Sequence, residues 1–323
     1  MHSPVKLAPA FKDYLWGGEK LADSYGKKSG GKIIAESWEL STHKDGLSAI
    51  AEGPFAGQTL KQYIEGLGAG VLGNQAAGRE AELPILIKLI DARQALSIQV
   101  HPGDDYAERW EGEYGKTEMW LVLESEPGAF LYCGVNRALS REEAERMVEG
   151  GEIEGALRRV PVNKGDVFFI PPGTIHAIGK GILICEIQQC SNVTYRLYDF
   201  GRTDAAGKER PLHLRKALDV AVLTPQALNT APELVIYDSQ AAEVSLLRAC
   251  GYFKTYRYQI RDGQAGFRTS QESFAALVCI DGEGELVSEA GALPIKKGES
   301  VFCPAQEAAY TVKGSCAFLL VTL

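Results

Sequence analysis

Short runs of β-branched, aromatic and other apolar residues, each stopped by glycine or proline, follow one another along almost the whole chain and constrain its fold more than any other feature. Up to residue 200 they read AIAEGPF, PILIKLI, ALSIQVHP, EMWLVLES, AFLYCGV, GDVFFIPP, GILICEIQ and TYRLYDF; further on come LVIYDS, FKTYRYQI, AALVCID, GELVS, SVFCPA, AAYTV and AFLLVTL. Runs of this length and composition are strands, so the fold class is mainly β. Helical patterning is confined to 60–67, 140–150 and 212–222. The second of these opens on Ser140 and Glu143 at capping-box spacing, with Ala144, Met147 and Val148 as a stripe for core packing. PQALNTAPE, at 225–233, combines two prolines with turn-forming residues and reads as a linker between domains 1–225 and 226–323.

A weak internal repeat accompanies that division. GDVFFIPPGTIHAI from Gly165 aligns with GESVFCPAQEAAYTV from Gly298: glycine, acid, apolar strand, proline, then a short turn into another strand. His176 stands eleven residues after Gly165, whereas Ala309 stands eleven after Gly298. A second copy that keeps the scaffold and lacks the histidine points to one functional barrel and one structural one.

Function has to be read from polar positions inside strands. In ALSIQVHP, Leu96, Ile98 and Val100 alternate with Ser97, Gln99 and His101, which separates an apolar face from a polar one. Periodicity alone does not say which face is inside. In GKTEMW, Lys116 and Glu118 share a face in the same way. Two strands with a polar pair each, and a third offering His176, make sense together if the polar faces line one cavity and Leu96, Ile98 and Val100 pack outward. His2, His43 and His213 lack such company and read as structural residues.

A net charge of −8 without a long basic run argues against a nucleic-acid partner. No apolar run reaches the roughly 18 residues of a membrane span, and MHSPVKLAPAFKDYLWGG has no apolar core of a signal peptide. The expectation is a soluble, cytoplasmic protein acting on a small molecule, with a monomer favoured. Cysteines at 133, 185, 190, 250, 279, 303 and 316 include no CxxC pair and are assigned to packing.

The spacing Gly165-x5-Pro171-x-Gly173-x2-His176 resembles the second sequence motif of the cupin β-barrels, whose histidine binds metal. Where the first cupin motif usually offers His-x-His and then Glu, this chain has Gln99-x-His101 and then Glu118. The implied ligands are Gln99, His101, Glu118 and His176, a set that suits one zinc ion per chain at about 2.0 to 2.2 Å and leaves Mn, Co or Fe(II) open. LSIQVHPGDDYA, GKTEMW, PPGTIHAI and SNVTYRLYDFGR, with WGG and PILIKLI before them, resemble in order the blocks of the type I mannose-6-phosphate isomerases in their short bacterial form.

That resemblance implies two cupin-like jelly-roll barrels with a few helices packed on the first. Residues 1–225 would be the catalytic domain with helical insertions, and 226–323 a degenerate one without metal ligands. It also implies interconversion of mannose 6-phosphate and fructose 6-phosphate. Moving a proton between C2 and C1 through a cis-enediol or enediolate needs an acid/base group and a means of holding negative charge on oxygen. Matching positions make Lys116, Glu186 and Arg196 catalytic and place Trp16, Lys88 and Ser97 against the sugar phosphate. A nearby cation and partial burial are expected to depress the Lys116 pKa and desolvation to raise that of Glu186, with the C2 base left open between them. Competing readings pair Arg196 with Asp199, make Lys88 a snorkelling edge-strand lysine, and give Trp16 a packing role only. Arg202 and Lys180 are spare phosphate candidates. The rival functions are an Fe(II) dioxygenase in the same pocket and a non-catalytic sugar-binding cupin.

Overall fold

The computed structural model describes residues 2–203, 207–228, 230 and 233–323; residues 229, 231 and 232 of the expected linker fall outside these. The punctuated strand runs form three sheets of nine, six and five strands, all paired antiparallel. Successive strands swing between the two smaller sheets. Ile85–Ala92, Glu118–Ser125 and Ile182–Gln189 lie in the six-stranded sheet, while Ile98–Val100, Phe130–Val135, His176–Ala177 and Tyr195–Tyr198 lie in the five-stranded one. This is the jelly-roll arrangement. The two sheets share a core in which Ile90, Trp120, Val122 and Phe168 meet Leu131 and Cys133.

The six-stranded sheet is covered on its other face as well. Leu89, Leu121, Cys185 and Ile187 pack there against Ala276, Val278, Phe302, Leu319 and Val321 from the second half of the chain. A sheet buried on both faces reads as continuous apolar sequence, and Ile85–Ala92 and Ile182–Gln189 are buried at every position. Lys88 and Glu186 interrupt those runs, so they are buried ionisable groups that need partners.

Outside the five-stranded sheet, Ile98 and Val100 pack with Ala144 and Val148 of the helix Arg141–Glu149 and Ala217 and Leu218 of the helix Leu214–Val220. Ser140 caps the first of these by accepting from Glu143 N. Leu60–Leu67 carries a full capping box between Thr59 and Gln62. Leu96 departs from the expected alternation: it precedes the strand Ile98–Val100 and joins the inner core between the sheets. Only Ile98 and Val100 of the apolar trio face outward, because alternation is enforced only where the backbone is extended and paired.

A helix at Asp104–Glu111 escaped the strand-centred reading. Its signals are two aspartates in the first turn and Gly112, left-handed at φ +66°, as its stop. The nine-stranded sheet forms the second barrel, with Tyr258, Phe267, Leu277, Val301 and Phe318 in its core. Val5–Ala8 pairs with Ser300–Cys303, so the first strand of the chain belongs to the sheet of the second half. All seven cysteines are free and six are buried, as packing residues are.

Candidate active site

Two rows of side chains look at each other across the first barrel. In the six-stranded sheet, Trp120, Glu186, Lys88 and Trp38 stand in register on four neighbouring strands. In the five-stranded sheet, His176, Gln99 and Arg196 do the same. In-register neighbours on one face lie close enough to interact directly, so pairing alone gathers residues from positions 38 to 196.

At one end, His101, Glu118 and His176 form a buried cluster whose ligand atoms all lie within 4.8 Å of one another. His176 Nδ1 lies 2.8 Å from Thr174 O, and His101 Nδ1 lies 2.9 Å from Val193 O. A carbonyl only accepts, so each Nδ1 carries the proton and each Nε2 lone pair turns inward, that of His101 to 3.2 Å from Lys116 Nζ. From those Nε2 atoms to Glu118 the distances are 3.3 Å for His176 and 3.7 Å for His101. The turn into His176 depends on Gly173: its φ is +83°, and a Cβ there would come within 2.8 Å of Val220 O.

Electrostatics agree with a cation site. Burial lowers the His101 pKa well below its usual range and takes that of His176 down to about 4, so both imidazoles are neutral ligands. Burial also pushes the Glu118 carboxyl up to about 8 in the metal-free chain. Glu118 Oε2 lies 3.0 Å from the Lys116 ammonium, while Oε1 faces His176 Nε2 with no hydrogen-bond donor, a costly state for a buried carboxylate oxygen that a divalent ion would relieve. Two neutral imidazoles and a buried carboxylate fit such an ion. Gln99 stands next to them with Nε2 3.5 Å from His176 Nε2, and a half-turn of its amide would bring the oxygen there instead.

Beside the cluster opens a cavity of about 290 Å³. Trp16, Lys88, Ser97, Gln99, Lys116, Glu186 and Arg196 line it, with Ile90, Leu96 and Ile178 as apolar wall. Across it runs a chain of alternating charge. Lys88 Nζ is 3.6 Å from Glu36 and 3.7 Å from Glu186; Lys116 Nζ is 4.0 Å from Glu186 and 3.0 Å from Glu118. Trp120 Nε1 donates to Glu186 Oε2 at 2.9 Å, while Glu186 Oε1 faces the two lysines.

This chain reverses both expected pKa shifts in the metal-free protein. Burial pushes Lys116 down, but Glu118 and Glu186 together outweigh it and raise the ammonium's pKa. Burial pushes Glu186 up, but Lys116, Lys88 and the Trp120 hydrogen bond outweigh it and hold the carboxyl below its ordinary range. Each group has gained an opposite charge within about 4 Å, and in a dry site that exceeds the desolvation cost.

The competing readings of Lys88 and Arg196 are overturned. Lys88 is on an interior strand, 3% exposed and 4.7 Å above the Trp38 ring, so it does not snorkel from an edge. Asp199 takes Arg202 and Arg210 as its partners, which leaves Arg196 to donate to Ser97 Oγ at 3.3 Å and Pro211 O at 2.9 Å. Trp16 is buried in the inner core and also walls the cavity. Lys180 is exposed, and Arg202 turns to Ala95 O, away from the cavity. Of the other histidines, His213 accepts from the Arg196 backbone N–H at 3.2 Å, and none joins the cluster.

Tyr14, Glu36, Asn192, Thr194 and Arg210 also line the cavity and went unnoticed in the sequence. Only Glu36 carried a usable signal, an acid two residues from Trp38 whose Nε1 it binds at 2.7 Å.

The second barrel braces the strand that carries Glu118. Asp104 accepts from Gly115 N at 2.8 Å, from Gln189 Nε2 at 2.8 Å and from Tyr252 Oη at 2.7 Å, and Gln189 Oε1 in turn accepts from Thr117 N. Thr117 lies between Lys116 and Glu118. Tyr252→Phe removes one hydrogen bond to a partly exposed carboxylate and should cost about 1 kcal/mol in thermal unfolding. Two other donors still hold Asp104, so turnover should fall less than threefold.

Comparison with known proteins bears on the same regions. A model described as the catalytic domain of type I phosphomannose isomerase matches residues 5–121, and one described as the cupin domain of mannose-6-phosphate isomerase matches 243–323. The mannose-6-phosphate isomerase ManA of Bacillus subtilis is 38% identical over 305 residues, 93% of each chain. The probable mannose-6-phosphate isomerase GmuF of the same organism is 36% identical over 99% of each chain. The crystal structure of a mannose 6-phosphate isomerase from Bacillus subtilis superposes over the full length of both chains with a TM-score of 0.91 at 35% identity.

Proposed function

The chain belongs to the type I phosphomannose isomerases, aldose-ketose isomerases, and on that premise we propose that it interconverts mannose 6-phosphate and fructose 6-phosphate with one zinc ion held by Gln99, His101, Glu118 and His176. The observation that carries this reading is the buried cluster of Glu118 with two imidazoles of fixed tautomer, at the end of a cavity lined by paired acids and bases.

When bound, the ion supplies positive charge beside the sugar oxygens, where the negative charge of an enediolate develops. The protein supplies the rest. Glu186, held ionised by Lys116 and Lys88, takes the C2 proton in this reading and returns it at C1. The Lys116 ammonium is the acid that accompanies it, and Trp120 fixes the carboxylate by binding its other oxygen. Arg196, oriented by Ser97 and Pro211 O, presents its remaining N–H groups to the substrate. Trp16 walls the sugar, and Lys88 holds Glu186 ionised from its far side. No helix among the described residues is long and apolar enough to cross a membrane.

A coupled assay with mannose 6-phosphate tests the reading. A chelator should abolish conversion and added zinc should restore it. Full activity in metal-free protein would refute the metal assignment, and oxidised products with oxygen uptake would favour the dioxygenase.

A further inference from the structure

The cavity is electrically lopsided. Its deep end is balanced pairwise, since Lys88 and Lys116 each have carboxylates within 4.0 Å and both are less than 5% exposed. Neither has charge to spare for a dianion. The open end is different: Tyr14 there is 38% exposed, and Arg196 and Arg210 line the same rim. Among the described residues, the one carboxylate paired with a guanidinium at this rim is Asp199, and it is shared between Arg210 and Arg202.

Asp199 also fixes how Arg210 is presented. It accepts from Arg210 Nε at 2.7 Å and from Nη2 at 2.6 Å. A two-pronged anchor of this kind holds the guanidinium plane and leaves its far edge, Nη1, for another acceptor. Arg196 is anchored in the same manner, through Nε and Nη1, which leaves Nη2. Two fixed guanidinium edges with one carboxylate's charge split elsewhere make a preformed anion cradle. Burial and the neighbouring Arg210 both lower the Arg196 pKa, the sign of cations held close without full compensation.

We infer that Arg210 recognises the substrate's phosphate, binding it at the cavity rim alongside Arg196 while C1 and C2 lie at the metal end. This rests on the isomerase reading and adds which end of the sugar enters first and which residue makes the enzyme require a phosphate. Arg210 is thus a specificity residue; it takes no part in proton transfer.

The test compares Arg210→Gln with Arg202→Gln, which loosens Asp199 without touching the cavity. For Arg210→Gln, the KM for mannose 6-phosphate and the competitive inhibition constant of inorganic phosphate should rise together, about tenfold to a hundredfold, as expected for losing a hydrogen bond to a charged group. Its kcat should stay within threefold, and Arg210→Lys should recover part of the loss. For Arg202→Gln, both constants should stay within threefold. An unchanged phosphate inhibition constant in Arg210→Gln overturns the inference, and so does an equal rise in Arg202→Gln, which would make the effect one of loop structure. Calorimetric binding of inorganic phosphate to the parent protein separates the two claims: binding that depends on Arg210 without turnover would refute the isomerase reading and leave the anion site standing.

Discussion

His176→Ala should lower kcat/KM for mannose 6-phosphate by about a thousandfold or more. The imidazole is fully buried, its Nδ1 is pinned to Thr174 O, and its Nε2 lies 3.3 Å from Glu118, so no neighbour can take its place in the cluster. A ligated ion contributes several kcal/mol of charge stabilisation, and about 4 kcal/mol corresponds to that factor. Elemental analysis should find the variant metal-poor. Because the ring also packs edge-on against Trp120 at 5.4 Å, the variant must be compared by thermal unfolding as well. A folded His176→Ala that keeps both its zinc and its turnover would remove the metal site from this account. His2→Ala, at an exposed position whose backbone alone bonds to Gln306, should change neither metal content nor rate.

Glu186→Gln and Lys116→Met should each reduce kcat by about a hundredfold to ten-thousandfold, the range for a positioned acid or base. Glu186→Gln is the cleaner of the two because the amide oxygen can still accept from Trp120 Nε1, so packing survives while the basic oxygen is lost. Lys116→Met leaves a methylene stem of similar length and removes the ammonium 3.0 Å from Glu118. KM should move much less than kcat in both, since neither group is placed at the phosphate end. The two losses should combine to less than their product, because each group sets the other's charge state across 4.0 Å. Turnover within threefold of the parent in both variants would end the acid/base proposal. The acid limb of kcat should not rise above the ordinary carboxylate range, since Lys116, Lys88 and Trp120 hold Glu186 ionised there.

Much of the site was legible because a strand writes its two faces into the sequence. Gln99 with His101 and Lys116 with Glu118 are two residues apart, and backbone geometry puts such pairs on one side whatever the rest of the protein does. Glu186 and Lys88 were visible as ionisable interruptions of continuous apolar runs. Glu36 and Arg210 were much less so: an acid in ESWEL and an arginine in KERPLHL look like surface residues until the fold puts them over a cavity.

The sequence by itself determined the mainly β class, the family, the two faces of each site strand and the residue types gathered on the polar one. These are local properties, set by backbone period and composition. Tertiary structure decided which face is inside, because that depends on what covers the sheet, and Ile98 and Val100 turn outward only since helices from 141–149 and 214–220 lie over them. It decided that Leu96, two residues before the paired strand, turns the other way. It also reversed the direction of the pKa shifts expected for Lys116 and Glu186. Burial can be inferred from one run of residues, but the field at a buried group falls off with distance to charges from other strands, and only the fold sets those distances.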